Sequence, residues 1–230
     1  MKRVVARELM DDPFESFAEL EANLADIEFA NRVFGGIAPV VREVRAASAR
    51  TLLDVCCGSA DIPAALVLDA RRRGVELCVT VLDRSDAMLA IARKRVRDVA
   101  LTFVCGDAVA LPFADGAFDM VTCNLALHHF EPDDARSLLR EMRRVARVTP
   151  LVCDLRRSVP AFVAAWGWSR IGSRNRLTRH DAPLSVRRAY TPREVLRFAA
   201  AAGWRVPAAR REAFFRMSLT DRGVPGGFGR

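Results

Sequence analysis

The sequence is poor in several things that would point to particular functions. It has one tyrosine, Tyr190, and three histidines in 230 residues. Its six cysteines, at 56, 57, 78, 105, 123 and 153, form no CxxC pair and no zinc-type spacing. No metal is expected, and the cysteines read as small buried hydrophobes in a reducing compartment. No apolar run approaches the roughly 20 residues that cross a bilayer; Ala161–Trp168 is far too short. The start, MKRVVARELMDD, has neither the apolar stretch nor the small-residue cleavage site of a secretory signal. A cytoplasmic protein is expected, with peripheral membrane contact left open and no indication of oligomeric state. Neither G-x-G-x-x-G nor a P-loop is present. The Tyr-x-x-x-Lys pair of many dehydrogenases is missing too, because Glu194 stands where the lysine would be. There is no internal repeat and no low-complexity tract.

What is present is a folding composition, 51% hydrophobic and 28% charged. The length suits one domain with a full core. The formal charge of +8 is unevenly placed. Residues 1–155 hold 20 basic and 24 acidic side chains, a net of −4; residues 156–230 hold 16 and 4, a net of +12. Of the 36 basic residues, 34 are arginine. Such asymmetry fits a nucleic-acid-facing or membrane-facing half, or a bias toward arginine codons.

Hydrophobic periodicity alternates along the chain. Strands are expected at Thr51–Val55, Glu76–Leu82, Leu101–Cys105, Phe118–Cys123 and Leu151–Leu155. Helices are expected at Ser59–Arg73, Ser85–Val96 and Asp133–Val148. Near-continuous apolar strands separated by helices predict an α/β fold with a doubly wound, mostly parallel sheet covered on both faces. Trp204–Ala208 and Glu212–Leu219 predict an antiparallel final strand pair. Thr191-Pro192-Arg193-Glu194 is a capping box with proline at the first helical position. Residues 156–190 read as a less regular insert. Residues 1–49, with helical signals at Ser16–Phe34 and Pro39–Ala47 split by Gly35-Gly36, read as an N-terminal helical lid on a domain of residues 50–230.

The chemistry concentrates at strand ends. Asp54-Val55-Cys56-Cys57-Gly58-Ser59-Ala60-Asp61 is a tight strand-to-helix turn, which sets backbone N–H groups beside a ligand. The second strand ends at Asp83, 25 residues after Gly58, where a carboxylate can take both hydroxyls of a ribose. The third ends in Gly106-Asp107-Ala108, where a carboxylate can accept from an exocyclic amine. Without the dinucleotide fingerprint, the nucleotide class that fits is S-adenosylmethionine, whose sulfonium favours nearby acids.

The segments LLDVCCGSAD, VTVLDRSDAML and FVCGDAVALPFADGAFDMVTCNLALHHF, followed by the helix to VARV, resemble the class I S-adenosylmethionine-dependent methyltransferases over about residues 50–155. The resemblance implies a Rossmann-like fold and S-adenosylmethionine as cofactor. The family's first motif, D-x-G-x-G-x-G, here has Cys56 and Ala60 in its outer glycine positions; the Cys-Cys-Gly-Ser-Ala form resembles the demethylmenaquinone methyltransferase group. By this resemblance Asp54 lies near the methionine amino group and Cys56, Cys57, Gly58 and Ser59 pack on its backbone. Asp83 binds ribose, with Arg84 and Met88 around adenine. Gly106, Asp107 and Ala108 meet the adenine edges, and Asn124 lies beside the methionine moiety.

After the fourth strand there is no Asn-Pro-Pro-Tyr of amino methyltransferases on nucleic acid and no Pro-Cys of cytosine-5 enzymes. Leu127-His128-His129-Phe130 is common in small-molecule methyltransferases and differs from the Gly-Leu-Arg-Asn of the quinone enzymes. A small-molecule partner is expected and nucleic acid is not. The expected reaction is O-methylation of an aromatic or polyketide-like metabolite of secondary metabolism. The alternatives are RNA methylation using the basic half, C-methylation of a quinone-like lipid, and a non-catalytic cofactor-binding module. A hydroxyl acceptor benefits from a base, for which His128, His129 and His180 are the candidates. Asn31, Phe34, Asp154, Trp166 and Arg179 are the expected acceptor contacts. The +12 half begins where the acceptor region begins, which suggests a pocket for an anionic, phenolate or carboxylate-bearing acceptor.

Overall fold

Near-continuous apolar strands, whose successive side chains point to opposite faces, decide how the sheet is sandwiched. The computed structural model describes residues 1–12 and 16–223. Seven strands form one sheet in the order β3-β2-β1-β4-β5-β7-β6. They are β1 (Thr51–Val55), β2 (Cys78–Asp83), β3 (Thr102–Cys105), β4 (Phe118–Asn124), β5 (Ala146–Leu155), β6 (Pro207–Arg211) and β7 (Arg216–Asp221). The first five pair in parallel, and β7 runs antiparallel to both β5 and β6. Leu52 and Leu53 are both fully buried on opposite faces, as the period of two requires.

On one face Leu53, Val121 and Met217 pack with α5 (Pro132–Val145), α8 (Pro192–Ala201) and Trp204. On the other, Leu52, Val79 and Met120 pack with α2 (Ile37–Ala46), α3 (Asp61–Arg72) and α4 (Asp86–Arg95). The expected N-terminal lid is thus divided. α1 (Phe17–Val33) reaches the helix at Arg176–Arg188, whereas α2 belongs to the core beneath the sheet.

The insert is more regular than the sequence suggests. It holds two helices, α6 (Val159–Gly172) and α7 (Arg176–Arg188). Ser158 caps the first and Asn175 the second, each accepting from a backbone N–H three residues on. Their apolar periodicity is weak: α6 carries apolar residues all round, and α7 has Pro183 inside it. β5 also begins five residues earlier than expected, at Ala146, where it pairs with Phe118. The strands of the final hairpin begin three and four residues later than expected. Among the described residues no helix is long and apolar enough to cross a membrane. All six cysteines are free.

Candidate active site

The order of the sheet reverses between β1 and β4, which opens a crevice at the carboxyl ends of the strands. A cleft of about 920 Å³ fills it. Every residue expected to meet the cofactor lines this cleft: Asp54, Cys56, Cys57, Gly58, Ser59, Asp83, Arg84, Met88, Gly106, Asp107, Ala108 and Asn124. The turn after β1 is left-handed at Cys56 (φ 57°), Gly58 (φ 51°) and Ala60 (φ 57°). Cys56 and Ala60 therefore keep the backbone of the glycines they replace, each at a cost of roughly 1–2 kcal/mol for the Cβ. The turn is secured from β2, where Asp83 accepts from Gly58 N–H (3.1 Å) and Ser85 N–H (3.0 Å). Each Asp83 oxygen keeps lone-pair capacity for a hydroxyl. Asp107 holds its own loop through Val109 N–H at 3.0 Å.

The floor of the cleft suits a cation. Asp54 is buried, and one of its oxygens accepts from Thr122 Oγ1 (2.5 Å) and Asn124 Nδ2 (2.7 Å). That fixes the Asn124 amide and leaves its Oδ1 buried with no hydrogen-bond partner. Burial pushes the Asp54 carboxyl up to about 7; the Thr122 and Asn124 bonds oppose this, and the charges of Asp61 and Asp83 reinforce it. Burial also raises Asp61 and Asp83. Three destabilised carboxylates and one orphaned carbonyl fit a ligand bearing an ammonium and a sulfonium.

A pH signature follows. Because the folded-state pKa is raised, the native state holds a proton on Asp54 that the unfolded chain has lost. The contribution of Asp54 to stability is thus largest in acid and declines as pH rises from about 4 to about 7, by up to about 1.4 kcal/mol per unit. Denaturant unfolding of the ligand-free protein, compared with Asp54→Asn, should show the wild type losing ground to the variant across that range. A stability difference constant with pH would contradict the assignment.

A second, mostly apolar cavity of about 300 Å³ adjoins the cleft, and both are lined by Met10, Ile27, Asn31, Leu125 and His129. Its walls come from α1, α6, α7 and the turn before β7. Residues 1–12 strap it to α7. Val4 N–H donates to Arg187 O, and Leu9 and Met10 N–H donate to the two oxygens of Asp181 (2.8 and 3.0 Å). Ser185 Oγ donates to Glu8 Oε2 at 2.9 Å, placing that buried carboxylate between the paired histidines.

His128 and His129 sit on a short 3₁₀ turn after β4, Leu127–His129. Asp154, buried near the end of β5, takes His128 Nδ1 at 2.7 Å and the His128 backbone N–H at 2.9 Å. With Nδ1–H donated, Nε2 is the free nitrogen, 3.8 Å from Glu8 Oε1. His129 Nδ1 meets Asp11 Oδ2 at 3.1 Å. Burial alone would lower the His129 pKa, but the Glu8 charge and the Asp11 bond outweigh it and raise it. Glu8, His128 and His129 bring ligand-type atoms within 4.8 Å of one another. Arg188 Nη1 already sets a positive charge 3.6 Å from Glu8 Oε1, which opposes a metal ion there.

Several expected acceptor contacts fall elsewhere. His180 is half exposed, paired with Asp181 Oδ1 at 2.7 Å, and lines neither cavity. Neighbouring helix positions lie about 100° apart, so Asp181 turns inward while His180 turns out. Trp166 is half exposed for the same kind of reason, and Trp168, two positions on, lines the cavity instead. Arg179 donates to Arg170 O and does not reach the cavity. Phe34 and Asn31 do line it, whereas Asp154 lines neither cavity and is bonded to His128 instead. Glu8, Asp181 and Arg216 also line the cavity, and Asp61 the cleft, although none is among the expected site residues. Asp61 falls within the turn motif and Asp181 beside His180, whereas Glu8 and Arg216 carry no spacing signal.

Residues 52–148 match the family model described as a methyltransferase domain. A demethylmenaquinone methyltransferase of Listeria welshimeri is 34% identical over 131 residues, 56% of this chain and 52% of that protein. One of Thermotoga maritima is 37% identical over 108 residues, 47% of this chain and 44% of that protein. The chain spans about half the length of the curated relatives it matches. Among solved structures, an S-adenosylmethionine-dependent methyltransferase of Aquifex aeolicus aligns with a TM-score of 0.63 at 15% identity, over 90% of this chain and 97% of that one. Magnesium protoporphyrin IX methyltransferase of Synechocystis, with S-adenosylhomocysteine bound, aligns at 0.58 and 15% identity, over 91% and 88%. At such identities the likeness is one of fold.

Proposed function

We propose that this chain, built on a class I S-adenosylmethionine-dependent methyltransferase domain, methylates a hydroxyl of a small aromatic acceptor held in the 300 Å³ cavity. Bound S-adenosylmethionine supplies an electrophilic methyl group on its sulfonium. The observation that carries the reading is the His128–Asp154 pair. Asp154 fixes the imidazole orientation and stabilises the imidazolium that forms. His128 Nε2 takes the acceptor proton. The cleft and the cavity meet at Leu125 and His129, so alignment of acceptor and methyl does much of the remaining work.

The test uses methyl-labelled cofactor and a panel of one- and two-ring phenols, each beside its methyl ether. Label should enter phenols as an ether and leave the ethers untouched. Equal labelling of the ethers, or no transfer to any phenol, would overturn the proposal. Label in carbon would favour C-methylation, the reaction suggested by the demethylmenaquinone relatives. A base serves that chemistry too, but the matched segment covers the cofactor half rather than most of the acceptor walls.

A further inference from the structure

We infer that the acceptor carries a carboxylate, received by the buried guanidinium of Arg216. The inference rests on the cavity being the acceptor site, as proposed above, and adds the chemical class of its occupant.

Arg188 and Arg216 are the buried arginines among the described residues. Arg188 has counter-charges, with Glu8 and Asp11 oxygens 3.6 and 3.5 Å from its Nη1. Arg216 makes no ion pair among the described residues. Its Nε donates to Phe34 O (3.1 Å) and its Nη2 to Asn31 Oδ1 (3.1 Å), both neutral oxygens, and Nη1 has no hydrogen-bond partner among the described residues. Holding a cation out of water without an anion is costly. Burial accordingly lowers the Arg216 pKa, and Asp154 and Asp61 offset this only from a distance.

The isolation of this charge is built by the surrounding structure. Asn31 accepts from Arg216 and passes its own Nδ2 to Asp61 Oδ2 at 3.0 Å, so it stands between the guanidinium and that acid. Gly36 keeps Asn31 in place, because a Cβ there would lie 2.7 Å from Asn31 Oδ1. Arg216 follows two consecutive non-glycine residues with left-handed backbone, Phe214 (φ 51°) and Phe215 (φ 60°). Both line the cavity, and strain of this kind gathers at ligand sites.

The acids around the cavity have partners of their own. Asp181 holds the strap and His180; Glu8 Oε2 accepts from Ser185, and its Oε1, buried without a hydrogen bond, faces the Arg188 cation at 3.6 Å. Among the described residues, Arg216 is the sole arginine lining the cavity, so the +12 of the C-terminal half contributes a single guanidinium to it. It does not line the cofactor cleft, which places its counter-ion on the acceptor rather than on the methionine carboxylate. An acceptor with a hydroxyl at His128 and a carboxylate at Arg216 is a hydroxyaryl acid.

Binding of matched acid and amide pairs to the full chain saturated with S-adenosylhomocysteine tests this without turnover. The probes are benzoate and benzamide, 4-hydroxybenzoate and 4-hydroxybenzamide, and 2-naphthoate and 2-naphthamide. The acids should bind about tenfold or more tightly than the amides. Arg216→Gln should erase the preference, Arg216→Lys should keep part of it, and S-adenosylhomocysteine affinity should stay unchanged. Equal binding of acids and amides to the wild type, or no acid binding, overturns the inference even if the variants fail to fold. Loss of S-adenosylhomocysteine affinity in Arg216→Gln also overturns it, by assigning the guanidinium to the cofactor. Acid-selective binding without methyl transfer would uphold the carboxylate site while removing the phenol reaction.

Discussion

Replacing His128 with glutamine should lower methyl-transfer turnover by about 10²- to 10⁴-fold, the usual loss for a positioned general base. Cofactor affinity should not change, because His128 lines the acceptor cavity and not the cofactor cleft. Asp154→Asn should act in the same direction with the ring still present. The amide can pair with Nδ1 in the wrong tautomer, leaving Nε2 protonated and unable to take a proton. Turnover should fall while acceptor KM moves little. Single-turnover assays at saturating cofactor separate this from a binding defect. Turnover within threefold of wild type in His128→Gln, with the variant folded, would remove the base from the mechanism.

The second large effect is expected at Asp83. Asp83→Ala should cost roughly 2–4 kcal/mol of S-adenosylhomocysteine affinity, the loss of two charge-assisted hydrogen bonds to a ribose. The structure adds a reason for the upper half of that range. The same carboxylate holds Gly58 N–H and Ser85 N–H, so its removal also loosens the turn under the cofactor. Asp83→Asn keeps the volume and one acceptor oxygen and should fall between the two. Isothermal calorimetry reads both, and unchanged affinity in Asp83→Ala would dismiss the ribose assignment.

The cofactor half was legible because its chemistry follows the strand period. Each of the first three apolar runs meets an acid at or just beyond its carboxyl end, so Asp54, Asp83 and Asp107 could be placed at one edge of the sheet from the sequence alone. The acceptor half was legible only as a location. Trp166 and Trp168 lie on a helix without a polar face, so composition could not say which one points inward. His180 looked more like a base than Asp181 did, yet helix phase turned the acid inward. Glu8 and Arg216 are 208 residues apart in the chain, from an irregular strap and a hairpin turn, and no local period brings them to one cavity. The basic surplus of residues 156–230 was legible, but not that Arg216 is the one arginine among the cavity's lining residues.

The division of labour between these segments bears on how such a protein diversifies. Of the residues around the cavity, three, Leu125, His128 and His129, lie within the matched stretch 52–148; the others belong to the strap, α1 and its C-cap Phe34, the end of β5, α6, α7, and the turn before β7 with its first residue, Arg216. Substitutions there can redraw the outline of the cavity without touching Asp54, Asp83 and Asp107, which line the cleft. A match over residues 52–148 therefore carries little information about what the cavity accepts, because Glu8, Asp181 and Arg216 in its wall all lie outside that stretch.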